Sequence, residues 1–202
     1  IQPSPETDVY DIYGKHVVPG YIAGYTRIGL TEISAVKQTN DHSEIGEMNP
    51  NVRANVSYNP DSDLIPVSRS NGVLIVNSAP SSGRISGQSS VMMLDGWTWE
   101  DATLKHPTAL NLNWPNMRFN FRKDAKKKEK DQRDNYQKTV RELDHWVRDV
   151  QAYHQRRTVR ERKATQKQLS DLRLESMIPF IIHKEPIHIH ANDIRQIEAS
   201  VK

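Results

Sequence analysis

The chain has 202 residues, no cysteine, 36% apolar and 26% charged side chains, and a formal net charge of +3. Such a length and composition suit one folded domain or a little more and exclude wholesale disorder. Disulfides, cysteine-held zinc and thiol nucleophiles are excluded outright, and no apolar run reaches the roughly 18 residues of a membrane span.

Residues 1–20 read as extended chain and turns, with Pro3, Pro5 and a turn at Gly14-Lys15. Residues 21–37 give a short strand, a loop around Gly29 and a helical turn through "TEISAVKQ". The Asn-, Asp-, Ser- and Pro-rich stretch 41–63 reads as a long loop or disorder. "GVLIVNSAP" (72–80) is a buried strand bounded by Gly72 and Pro80, and "SSGRISGQSS" (81–90) follows it as a Gly/Ser loop. A second apolar strand starts "VMML" and ends at a turn at Asp95-Gly96, and a helix start at "TWEDA" accounts for Glu100 and Asp101 in its first turn. From Phe121 to Met177 the pattern is helical: Tyr136, Val140, Leu143, Trp146 or Val147, Val150 and Tyr153 form one apolar stripe. A further helix through Leu169, Leu172 and Met177 is expected to stop before Pro179. The tail predicts an "HKE" turn, a strand at 187–191 and a helix capped by Asp193. Strands alternating with helices predict an α/β architecture.

Charge is unevenly spread. Residues 116–178 hold 18 Lys+Arg against 10 Asp+Glu, and the rest of the chain is net acidic. Within that segment, "RKDAKKKEKDQRD" (122–134) is interrupted by Asp124, Glu129, Asp131 and Asp134 and carries no interleaved aromatic residue. It reads as a solvated helix with i, i+4 pairs rather than a nucleic-acid surface. The tryptophans 97, 99, 114 and 146 read as core or lid.

Two stretches could carry chemistry. In "IHIHAND", His188 and His190 are two apart on a strand and so share one face. They could share a Zn²⁺, form a structural pair, or act as one ligand with one packing neighbour; His183 is too distant to join them locally. "SSGRISGQSS" could cradle an anion through backbone N–H groups, but it has neither the P-loop lysine nor the G-x-G-x-x-G spacing, and a plain surface loop is the simpler reading.

Together, "GKHVVPGYIAGYTRIGLTEI", "NPNVRANVSYNPDSDLIPVSRSNGV", "GRISGQSSVMMLDGWTWEDA" and "IHIHAND" resemble the amidohydrolase superfamily, in an imidazolonepropionase-like or prolidase-like branch of periplasmic members. The resemblance implies part of a (β/α)8 TIM barrel. On that reading residues 1–20 are the end of a small β-sandwich, residues 21–202 the N-terminal part of the barrel, and residues 116–178 a long charged helical segment. It implies metal-dependent hydrolysis of C–N bonds in amides, cyclic amides or dipeptides, with metal-activated water, and a periplasmic or cell-envelope location. The family's first-strand H-x-H falls on Tyr25-Thr26-Arg27, where neither Tyr25 nor Arg27 is an ordinary zinc ligand and the guanidinium repels a cation. The fifth-strand histidine falls on His190, and Asn192 stands where a second histidine is frequent. No residue matches the fourth-strand ligand, and the late-strand histidine and aspartate would lie beyond Lys202.

A barrel of this kind takes roughly 250 residues, so a further stretch of the same chain or another chain is expected to complete it. Two functions follow as expectations. One is an amidohydrolase-like protein with a degraded metal site, holding at most one zinc at His190 and His188 or none, and so a weak hydrolase or a pseudoenzyme. The other is a structural subunit of a homo- or hetero-oligomeric complex that docks through the basic helical segment, with no membrane span and no nucleic acid.

Overall fold

The computed structural model describes residues 8–120, 129–163 and 170–201. Five strands form one sheet in sequence order: β1 (Tyr21–Thr26), β2 (Val73–Ser78), β3 (Ile85–Met93), β4 (Thr103–Asn113) and β5 (Ile187–His190). β1 runs parallel to β2 and β4 parallel to β5, whereas β3 is antiparallel to both its neighbours. Four of the five strands therefore point the same way, and Thr26, Ser78, Asn113 and His190 end on one rim. The helices are α1 (Leu64–Ser70), α2 (Trp99–Ala102), α3 (Glu129–Lys163), α4 (Leu172–Ile181) and α5 (Ile194–Ser200). α1 lies in the connection from β1 to β2, and α3 and α4 in that from β4 to β5. These are the two crossovers that parallel pairs require.

Two apolar clusters hold the layers together. Val76 faces Met92 across the β2–β3 pair, and both are buried with Tyr58, Ile65, Leu94 and Ala102 under α1 and α2. Ile85 and Leu110 are buried against Leu143 and Val150 of α3 and Met177, Ile178 and Phe180 of α4. Each such side chain contributes about 1.5–3 kcal/mol when fully buried. The stripe expected on α3 is therefore the face that packs, with Trp146 and Tyr153 at its margin. Its outer charges pair within the helix, as Arg133 with Glu129 at 2.8 Å and Arg148 with Asp144 at 2.7 Å, and Arg157 pairs with Glu175 to tie α3 to α4.

Several expectations hold at the level of elements. The turn at Gly14, strands β1, β2 and β5, and the Thr98 and Asp193 helix caps are all present; Thr98 Oγ1 accepts from Asp101 N at 3.2 Å and Asp193 Oδ1 from Arg195 N at 3.0 Å. Residues 41–63 form an ordered loop bridged to β3 at Met48–Ile85 and Arg53–Gln88.

Three expectations are corrected. The Gly/Ser "loop" 81–90 is strand from Ile85 onward, and its small residues are buried. They have to be small, because a Cβ on Gly87 would lie 2.7 Å from the Val52 carbonyl oxygen. β4 went unanticipated, since Lys105, His106 and Pro107 break any strand pattern. Finally, α4 runs through Pro179 to Ile181. Ile178 and Phe180, buried on either side of the proline, hold that last turn against the sheet despite the lost N–H. Leu169 lies outside the described residues, and Leu172 is exposed.

Candidate functional site

The site is built where the two outermost strands meet. Across five strands about 4.8 Å apart, β1 and β5 of a flat sheet would lie roughly 19 Å from each other. Instead the rings of Tyr25 on β1 and His190 on β5 have centroids 4.6 Å apart, tilted by 48°. The sheet is curled into a half-barrel, and its concave side brings together residues far apart in sequence.

His190 is positioned from β4. Register pairs His188 with Asn111 and His190 with Asn113, so the two histidines share a face while Ile187 and Ile189 look outward and are exposed. Asn111 is fully buried; its Nδ2 donates to Gly87 O at 3.1 Å, which turns its Oδ1 toward His190 Nε2 at 3.3 Å. That carboxamide orientation makes His190 Nε2 the donor and leaves Nδ1 as the free acceptor. Burial, and then the neighbouring His188, hold the His190 pKa below its ordinary value, so the ring is neutral near pH 7.

Tyr25 is about half exposed, and burial raises its pKa while the adjacent Arg27 opposes the rise. The turn that carries Arg27 out of β1 is pinned from both sides. Thr26 Oγ1 accepts from Ile28 N at 2.7 Å, and Ser78 Oγ donates to Ile28 O at 2.7 Å. The exposed Arg27 also lowers the pKa of His42, after burial, and His42 Nδ1 lies 2.7 Å from Thr31 Oγ1. Below the rim, Asn77 Nδ2 donates to Gly24 O at 3.1 Å and its Oδ1 accepts from Thr108 Oγ1 at 2.9 Å, beside Ser89.

The donors at this rim fall short of what a zinc ion needs. The Nδ1 of His190 is one available ligand, but the Tyr25 ring lies against the same imidazole and Arg27 adds positive charge beside Tyr25. Among the described residues no group of three or more His, Asp or Glu converges, whereas catalytic zinc takes three protein ligands. Asn192 is tied down through its backbone: its N–H donates to Gln196 Oε1 at 3.0 Å and its carbonyl accepts from Arg118. His183 packs edge-on against His154 on the helical side.

A second polar cluster escaped sequence reasoning. Arg53 Nε donates to His106 Nε2 at 3.0 Å, so the proton sits on Nδ1, which donates to the buried Ser90 Oγ at 2.8 Å. Ser90 Oγ also accepts from Asn55 N at 3.2 Å. The serine thus receives a proton donor where a nucleophile would need a base. Burial, then Arg53, push the His106 pKa down to about 4.

No family model matches the chain, and no curated protein matches it. Among solved structures it is similar to an amidohydrolase from Thermotoga maritima MSB8, with a TM-score of 0.82 and 20% identity. The match covers 100% of this chain and 52% of that protein, so the chain spans about half of its length. At that identity the likeness is one of fold: a curled mixed sheet with flanking helices, consistent with part of an amidohydrolase fold.

Proposed function

We propose that this chain is part of an amidohydrolase-like protein, related to hydrolases of C–N bonds, whose metal site is degraded so that its strand-end rim binds a ligand without metal-activated water. The observation that carries the reading is the contact between Tyr25 and His190 at 4.6 Å. These are the positions onto which the family's first-strand and fifth-strand metal ligands fall, and they meet at the carboxyl ends of parallel strands, where ligands bind α/β sheets. With its metal ligands replaced, the rim retains recognition chemistry. The Tyr25 hydroxyl and the Arg27 guanidinium donate hydrogen bonds, and the free Nδ1 of His190 accepts one, which suits a carbonyl or carboxylate flanked by an N–H group.

We further propose that the rest of the barrel is supplied by additional chain or by a partner. Both edge strands support this, because Tyr21 and Ile22 on β1 and Ile187 and Ile189 on β5 are exposed, and open apolar edges invite pairing.

The test is elemental analysis of the full-length protein together with turnover of amide, cyclic amide and dipeptide substrates. Substoichiometric metal with no turnover is expected, and replacing both Tyr25 and Arg27 with His should create zinc binding. Stoichiometric zinc in the wild type that disappears in His190→Ala would sink the proposal.

A further inference from the structure

We infer that a second binding site, for a small organic monocarboxylate with an apolar body, lies between α3 and the β2–β3 connection, centred on Arg84. Arg84 is partly buried, whereas Arg69, Arg133 and Arg173 are exposed. Its backbone is held in place because Arg84 N donates to Glu47 O at 2.6 Å. Its side chain makes one hydrogen bond, from Nη1 to Asn113 O at 3.0 Å, and no carboxylate among the described residues pairs with it. Several exposed arginines have acids, as Arg69 has Asp95, Arg133 has Glu129 and Arg173 has Asp171. With one hydrogen bond to the protein, most of the five N–H donors of a guanidinium are left for a ligand.

Arg84 borders open space. It lines two hollows of about 290 Å³ each, and Asn135 and Thr139 of α3 also line both, so the hollows adjoin. Phe119 and Tyr136 wall the first and Trp146 the second, and volumes of this size suit a small organic molecule. The planar fork matches a carboxylate bidentately. Glu47 and Glu142 border the second hollow and disfavour a polyanion there, so a single carboxylate on an apolar body fits better than a phosphate. Neither Tyr25 nor His190 lines either hollow, and the site stands or falls independently of the proposed function.

The experiment is isothermal titration calorimetry on the full-length protein with N-acetylphenylalanine, its neutral amide and inorganic phosphate, with thermal unfolding as the check on folding. The acid is expected to bind at least about tenfold more tightly than the amide, because a charge-assisted bond is lost with the carboxylate, and more tightly than phosphate. Arg84→Lys should weaken the acid about tenfold by removing the fork. Thr139→Trp, which places an indole in the space the two hollows share and leaves the Arg84 side chain itself unchanged, should abolish binding in a folded protein and decides the matter if Arg84→Lys unfolds. Equal binding of acid and amide, phosphate binding as tightly as the acid, full binding by Thr139→Trp, or binding of none of the three would overturn the inference.

Discussion

Two histidine sites on the same sheet differ in how completely their valences are filled. His106 has both ring nitrogens engaged, one by Arg53 and one by Ser90, and Ser90 is satisfied in turn by Asn55. His190 has one nitrogen held by Asn111 and the other free, beside a half-exposed tyrosine and an arginine directed outward. A closed network fixes structure, because every partner removed leaves a desolvated group behind. An open one costs little to disturb and has donors and acceptors left for a ligand. Residue type does not separate the two, since each sets a histidine against a hydroxyl-bearing side chain.

The comparison breaks most visibly at His106. Replacing it with Ala strands the buried Ser90 hydroxyl and opens a void, and should cost about 3 kcal/mol in urea unfolding at pH 7. The wild type should show a matching pH dependence. The folded pKa of His106 is held down to about 4, against about 6.5 unfolded, so the unfolded chain binds the proton first. Its contribution is fully present above about pH 6.5 and is lost as the pH falls toward 4, amounting to about 2 kcal/mol after allowance for solvent screening. His106→Gln should flatten that slope; an unchanged slope would show that the protons are taken up elsewhere. His190→Ala removes one hydrogen bond from a half-buried ring and should cost only about 1 kcal/mol, while changing ligand binding at the rim more than stability. A loss as large as that at His106 would make His190 a structural residue. The smallest effect is expected for Tyr25→Phe, within about 0.5 kcal/mol, because the ring contact with His190 survives.

Sequence reading recovered the elements whose own residues dictate them. β2 opens with the apolar run Val73–Val76 between Gly72 and Pro80, and α5 starts at a capping aspartate. β3 and β4 were obscured for opposite reasons. "ISGQSS" is made of loop-forming residues, and it is strand because Gly87 allows Val52 to approach and because β2 and β4 supply partners on both sides. "LKHPT" contains a proline and three polar side chains, yet its ladder continues on either side of the proline. At the site, Tyr25 and Arg27 were reachable only through a resemblance. His188 and His190 were placed on one face by spacing alone. Asn111 gave no signal, because its role depends on a register with β5 that no local pattern encodes. Arg53, Ser90 and His106 met only through the fold, and Arg84 became notable only once its lack of a carboxylate could be seen.

The antiparallel β3 also bears on the order in which the molecule assembles. Ser89 meets Ala109 across a short connection, whereas Tyr21 must find Val73 and Leu110 must wait for Ile187. Closing the shorter loop costs less chain entropy before any contact rewards it. The two antiparallel pairs, β2–β3 and β3–β4, are therefore expected to form first and to serve as the template on which β1 and β5 are laid from either side. Transition-state φ-values near one at Ala109 and near zero at Ala23 would show that order, and the reverse pattern would refute it. The strand that runs against the other four is then the one from which their alignment is taken.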